Sequence, residues 1–89
     1  MNFIREKERI FARNEDGRLV AEITFVRKGN VAEINHTFVD PSLRGQGVAG
    51  QLVQAAADAL KEENCKIHLT CSYAHRWFEE HPEYGQLLE

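Results

Sequence analysis

The sequence predicts an α+β domain in which two helices cover one mostly antiparallel sheet. Three observations indicate this fold class. Apolar and polar residues alternate through the first 39 residues, the apolar spacing becomes helical over residues 47–63, and a short strand-like segment then precedes a second helical one. With 89 residues, 43% of them hydrophobic and 28% charged, the chain is expected to form one small domain over residues 1–89.

The first half of the chain predicts an antiparallel meander. Residues 9–13 form a first strand, followed by Asp16-Gly17, a pair typical of hairpin turns. Residues 19–26 and 31–39 form two further strands on either side of a turn at Gly29-Asn30. The positions expected to share a face are Leu19, Ala21, Ile23 and Phe25 in the second strand, and Ala32, Ile34, His36 and Phe38 in the third.

The second half predicts a helix, a last strand and a second helix. Apolar residues recur at helical spacing over residues 47–63, and Asn64 suits the helix end. Residues 66–70 form a short strand. Ser72 is expected to cap a helix over residues 73–80, in which Trp77 and Phe78 are core candidates and after which Pro82 prevents continuation. The predicted order of elements is ββ(β)αβα.

A glycine-rich segment links the third strand to the first helix. Gly45, Gly47 and Gly50 can adopt positive φ or allow close approach to the backbone, and the following helix presents free N–H groups. The segment therefore predicts a phosphate or pyrophosphate site. The Gly-x-Gly-x-x-Gly spacing also suits a dinucleotide site, but that site needs a βαβ unit with a downstream acidic residue. A P-loop is excluded because no Gly-Lys-Ser/Thr follows.

Arg44, Gly47 and Ala49 match the pattern Arg/Gln-x-x-Gly-x-Gly/Ala, preceded by Asp40-Pro41. This segment resembles the acyl-CoA loop of the GNAT N-acetyltransferase superfamily. With Cys71-Ser72-Tyr73 and the run from His81 to Tyr84, residues of about 17–88 resemble the very small, single-domain GNAT-like proteins that carry a Cys-Ser-Tyr motif. The resemblance implies a minimal GNAT-like fold and an N-acetyltransferase that moves an acetyl group from acetyl-CoA to an amine.

The resemblance also implies where coenzyme A (CoA) binds. Its pantetheine arm would lie between the strand before the loop and the strand after the first helix, bonded to backbone near residues 37–39. The residues implied in CoA binding are Thr37, Phe38, Val39, Arg44, Gly45, Gln46, Gly47, Val48, Ala49, Ser72, Tyr73 and Arg76. The acceptor is left open between an exposed lysine, a small polyamine and other amines, and the oligomeric state is left open as well.

Cys71 is the candidate catalytic residue. In longer members a tyrosine of the last helix protonates the departing thiolate, but aligning Ala74 with the family pattern puts Phe78 at that position. Cys71 stands at a helix N-terminus one turn before His75, so it is expected to act as proton donor or nucleophile. The alternative is a buried core thiol, the role expected for Cys65. Glu33 and His36 are weaker candidates as proton relays.

Several function classes are disfavoured. A net charge of −3 without a basic stripe argues against nucleic-acid binding, and the apolar stretches are too short for a membrane span. Cys65 and Cys71 flank a strand and cannot bridge, and the scattered histidines call for no metal. Reduced thiols and a polar start predict a cytoplasmic protein. The alternative functions are a CoA- or acyl-CoA-binding module with little turnover and, less favoured, a structural or interaction domain.

Overall fold

The computed structural model describes residues 2–89, where a five-stranded sheet is covered on one face by two helices. This arrangement confirms the predicted α+β class. The strands are β1 (Ile4–Arg5), β2 (Arg9–Arg13), β3 (Leu19–Lys28), β4 (Val31–Val39) and β5 (Lys66–Leu69). The helices are α1 (Val48–Glu62) and α2 (Ser72–Glu80), with 3-10 helices at Pro41–Leu43 and Pro82–Leu87.

The sheet order is β1-β2-β3-β4-β5, antiparallel except for the last pair. Helix α1 makes the crossover that a parallel pair requires. The β4–β5 ladder ends where Ile34 faces Leu69, with one further bond from Thr70 N–H to the Ile34 carbonyl, 3.0 Å. Because β4 continues to Val39, the two strands diverge beyond this point and leave an opening between them.

Three local features differ from the prediction. Strand β1 and the 3-10 helix at Pro82–Leu87 were not predicted, since neither carries a clear periodic pattern in so few residues. The predicted cap role of Ser72 is wrong, because Ser72 is already helical. Cys71 is the N-cap of α2, with the extended backbone (φ −96°, ψ 125°) that the residue before a first helical turn adopts.

The core lies between the sheet and the apolar stripe of α1. Ile23, Phe25 and Ile34 of the sheet face Leu52 and Leu60 of the helix, and all five are at most 1% exposed. Cys65 is also buried in this cluster, as expected for a structural thiol. From α2, Ala74, Trp77 and Phe78 complete the packing, which confirms Trp77 and Phe78 as core residues. Helix α1 thereby holds the glycine-rich segment against the end of β4.

A β-bulge in β4 decides which side chains face the helices. Thr24 pairs with His36 and Phe25 pairs with Ile34, so Asn35 has no residue of β3 opposite it. One extra residue reverses the alternation beyond it. Thr37, opposite the buried Ile23, and Val39 therefore point to the helix face, while His36 and Phe38 point away. The prediction that His36 and Phe38 share a face with Ile34 is wrong for this reason.

The other face of the sheet carries no helix within residues 2–89. Phe11 lies on this face yet is only 4% exposed, because the guanidinium groups of Arg9 and Arg13 cover its ring at 3.9 and 5.2 Å. Neither α1 nor α2 is long and apolar enough to cross a bilayer.

Candidate functional site

A cavity of about 400 Å³ runs from the glycine-rich segment to the end of β4 and the start of α2. Its walls come from the end of β4, the segment before α1, the first turn of α1 and the start of α2. The lining residues are Thr37, Val39, Leu43, Arg44, Gly45, Gly47, Val48, Ala49 and Tyr73. Residues predicted from separate parts of the sequence thus lie together. Leu43 was missed, because a single apolar residue in a turn gives no distinguishing signal.

The glycine-rich segment has the backbone expected of an anion site. Gly45 and Gly47 have φ of +81° and +73°, in the left-handed region that favours glycine, and Gly47 is the N-cap of α1. The first backbone bond of the helix runs from Gln51 N–H to the Gly47 carbonyl, 3.1 Å. The N–H groups of residues 48–50 therefore precede the helical ladder and carry the positive end of the helix dipole.

Asp40 fixes the turn that enters this segment. Its carboxylate accepts hydrogen bonds from the Ser42 backbone N–H at 3.0 Å and from the Ser42 hydroxyl at 2.5 Å. It also forms an ion pair with Arg18 at 3.3 Å. The hydroxyl bond is the main cause that lowers the pKa of Asp40 below its ordinary value. The Asp40 carboxylate therefore stays ionised. Arg44, which follows this turn, is exposed and lines the cavity.

The structure does not bring every predicted cofactor residue to this cavity. Phe38 points to the opposite face of the sheet, although its backbone remains beside Thr37 and Val39. Gln46 is exposed and bonds the Ser42 carbonyl at 3.5 Å. Ser72 and Arg76 line a second cavity, described below. Gly50, counted with the loop glycines in the sequence, lies in α1 against Trp77 and Tyr73.

Cys71 lies where α2 begins, next to Thr37 in the wall of the cavity. Its sulfur is 3.5 Å from Thr37 Oγ1, in a partly buried contact. Burial alone would raise the pKa of Cys71. The Thr37 hydroxyl and the backbone N–H groups of Ala74, Tyr73 and Thr37 outweigh that effect, so the pKa lies below that of an ordinary thiol. The thiolate is favoured by donors from both β4 and α2.

The other polar candidates occupy different surroundings. A second cavity of about 370 Å³ lies beside Cys71 and is lined by Leu69, Thr70, Cys71, Ser72, His75, Arg76 and Glu79. Glu33 receives a long hydrogen bond, 3.4 Å, from Thr70, and His36 is exposed on the face without helices. Phe78 is 4% exposed and packs edge-on against Trp77. Cys71 is therefore a titratable side chain that lines the second cavity and contacts Thr37, which lines the first.

The chain was compared with known proteins. A family model described as GCN5-related N-acetyl-transferase matches residues 9–87. Protein NATD1 of Xenopus tropicalis is 40% identical over 65 residues, which are 73% of this chain and 59% of that protein. Against the mouse and human NATD1 proteins the chain spans about half of their length, at 47% and 46%.

Solved structures give the same result for the fold. A GCN5-like protein from Staphylococcus aureus has 28% identity and a TM-score of 0.81, covering 99% of this chain and 87% of that one. A GNAT family N-acetyltransferase from Escherichia coli, crystallised in complex with CoA, has 20% identity and a TM-score of 0.65, covering 86% and 44%. The family model extends over nearly the whole chain, and the protein is therefore a member of the GCN5-related N-acetyltransferase family.

Proposed function

We propose that this protein binds acetyl-CoA in the cavity between the glycine-rich segment and Cys71 and transfers the acetyl group to an amine. The observation that carries the proposal is the continuity of that cavity, from the positive-φ glycines at the start of α1 to the Thr37–Cys71 contact. The pyrophosphate would meet the N–H groups of residues 47–49 and Arg44. The Escherichia coli relative, which shares the fold, was crystallised with CoA.

The path of the pantetheine arm follows from the positions of the pyrophosphate and of Cys71. The pantetheine arm would run along Val39 and Thr37 of β4 and place the thioester beside Cys71, with Tyr73 on the opposite wall. The apolar side chains of Leu43, Val39 and Val48 suit the methylene and gem-dimethyl groups of that arm. Val39 and Thr37 reach this wall because of the bulge at Asn35.

Two roles of Cys71 fit the surroundings of its sulfur. In direct transfer, a neutral amine attacks the thioester carbonyl, the C–S bond breaks, and the Cys71 thiol gives its proton to the departing CoA thiolate; the proton that the amine nitrogen then loses restores the Cys71 thiol. In the covalent route, the Cys71 thiolate attacks the carbonyl and releases CoA, and the amine then attacks the acyl-cysteine and regenerates the thiol. The lowered pKa of Cys71 supports the second route. Both require a reduced thiol, which a cytoplasmic location would maintain.

The proposal is tested by titrating acetyl-CoA calorimetrically and then assaying a broad set of amines. Cys71→Ala and Cys71→Ser should retain CoA binding and lose roughly 10²–10⁴ in turnover, the usual contribution of a proton-transfer group. Rapid quenching with acetyl-CoA and no amine separates the two roles. A thioester on Cys71 assigns the nucleophile, and its absence assigns the proton donor. Full activity in Cys71→Ala would return Cys71 to a packing role.

A CoA-binding module with little turnover is the second candidate function. The observation in its favour is the link of residues 14–18 between β2 and β3, which carries no helix that could enclose an acceptor. Saturable CoA binding without acetylation of any amine, and without acyl transfer to Cys71, would support this candidate over the enzyme.

A further inference from the structure

The second cavity is lined by Cys71, whose sulfur contacts a residue in the wall of the proposed CoA cavity. Thr37 lines the first cavity, Cys71 lines the second, and their side chains meet at 3.5 Å. Along α2, Tyr73 borders the first cavity, whereas Ser72, Arg76 and Glu79 border the second. A thioester brought to Cys71 from one side is therefore open to a group that arrives from the other side.

The charges of the second cavity are ordered along α2. His75 and Arg76 follow Cys71 within about one turn, and Glu79 lies a further turn away. All three are exposed, and none takes part in an ion pair within residues 2–89. Arg76 is thus available to an external anion, for which its planar guanidinium offers two parallel hydrogen bonds.

This order of charges discriminates between acceptors. A polyamine or an unmodified diamine with its reacting nitrogen at Cys71 could place its second cation at Glu79, but it offers no negative charge to Arg76, which repels a cation. An α-amino acid instead places its carboxylate at Arg76 while its amine remains next to Cys71. Its side chain then extends toward Glu79 and the Thr70 hydroxyl, which favour a hydrogen-bond donor.

We infer that the second cavity is the acceptor site and that the acceptor is a free amino acid, held through its carboxylate by Arg76. The inference rests on the proposed acetyl transfer and adds the class of its substrate. It also moves Arg76 from the cofactor residues, where the resemblance put it, to the acceptor side.

The experiment compares matched acceptors. Each common α-amino acid is assayed with acetyl-CoA beside the amine that lacks its carboxylate, for example lysine with cadaverine and histidine with histamine. For the best acceptor, kcat/KM should favour the amino acid about tenfold, which corresponds to about 1.4 kcal/mol of transition-state binding. Arg76→Gln should remove most of this preference and leave CoA affinity unchanged. Lys61→Gln, the same charge change at the far end of α1, should keep the preference.

Four results would overturn the inference. Decarboxylated amines that react as fast as their amino acids would refute it while leaving acetyl transfer intact. A loss of CoA affinity in Arg76→Gln would assign this arginine to the cofactor. If no acceptor reacts, amino acids are titrated calorimetrically into the CoA-saturated protein, and absence of binding refutes the acceptor site. Failure of CoA itself to bind would refute the proposed function, and the inference with it.

Discussion

Replacing Gly47 with valine should separate cofactor binding from folding. Gly47 has φ +73°, and a Cβ at this position would meet no other atom within 4 Å. The protein alone therefore pays only for the left-handed backbone, about 1–3 kcal/mol for a residue with a side chain. In a domain of this size each kcal/mol lowers Tm by about 4–8 °C.

Gly17 provides the matched control. It has φ +83°, also has no atom within 4 Å of an added Cβ, and lies in the turn between β2 and β3, outside the cavity. Gly17→Val should therefore show a similar fall in Tm and unchanged CoA affinity. Gly47→Val should in addition weaken CoA binding at least tenfold, because each lost phosphate contact removes about 1.5–3 kcal/mol.

The assay is calorimetric titration of CoA at a temperature at which both variants are folded, with thermal unfolding measured in parallel. Unchanged CoA affinity in folded Gly47→Val would refute the assignment of the pyrophosphate to the start of α1. Weakening of equal size in both variants would show that backbone strain, and not the blocked approach, reduces binding.

Three further outcomes are expected. Thr37→Val should raise the pKa of Cys71 and slow the alkylation of Cys71 by iodoacetamide near neutral pH, up to about tenfold. Thr24→Val removes a hydroxyl that is bonded to Asn35 and should leave the alkylation rate of Cys71 unchanged. Gly50→Ala should stabilise the protein by up to about 1 kcal/mol and raise its Tm, because alanine favours a helix more than glycine does. The added Cβ would lie 3.5 Å from Trp77 Nε1, so a lower Tm would reveal a clash. Hydrogen bonds from Arg27 and Arg5 lower the pKa of Glu63. The ionised Glu63 carboxylate therefore contributes fully to stability above about pH 4.3, and this contribution is lost as the pH falls through the lowered pKa of Glu63. Denaturant titrations should show that Glu63→Gln costs under about 1 kcal/mol at pH 7 and nothing at pH 2, since the group is partly exposed.

The sequence predicted regular elements well where many residues repeat one pattern. The stripe that includes Leu52, Ala56 and Leu60 gave α1 to within a residue at either end, and alternation gave β2, β3 and β4. The bulge escaped detection because Asn35 continues a regular alternation in the sequence. Only pairing with β3 reveals the extra residue, and pairing is a long-range property.

The candidate site likewise has a part that local sequence patterns predict and a part that only long-range contacts reveal. The loop glycines and Arg44 are adjacent in sequence, so a local pattern identified them. The contact of Cys71 with Thr37 joins residues 34 positions apart and depends on the reversed alternation after Asn35. The second cavity likewise combines the end of β5 with one side of α2, a surface that no spacing in the chain marks.

The two borders of the sheet have a consequence for solubility. An edge strand offers free N–H and C=O groups that can recruit a strand from another molecule. Here the outer side of β5 is occupied, because Leu88 forms a parallel bridge with Ile67 and the Glu89 N–H bonds the Ile67 carbonyl at 3.1 Å. At the opposite border β1 has only two residues, too short a template for stable recruitment. Recruitment of a strand at the β5 border should therefore require the segment that carries Leu88 to detach first, and substitutions that loosen this segment should promote association at this border before they unfold the core.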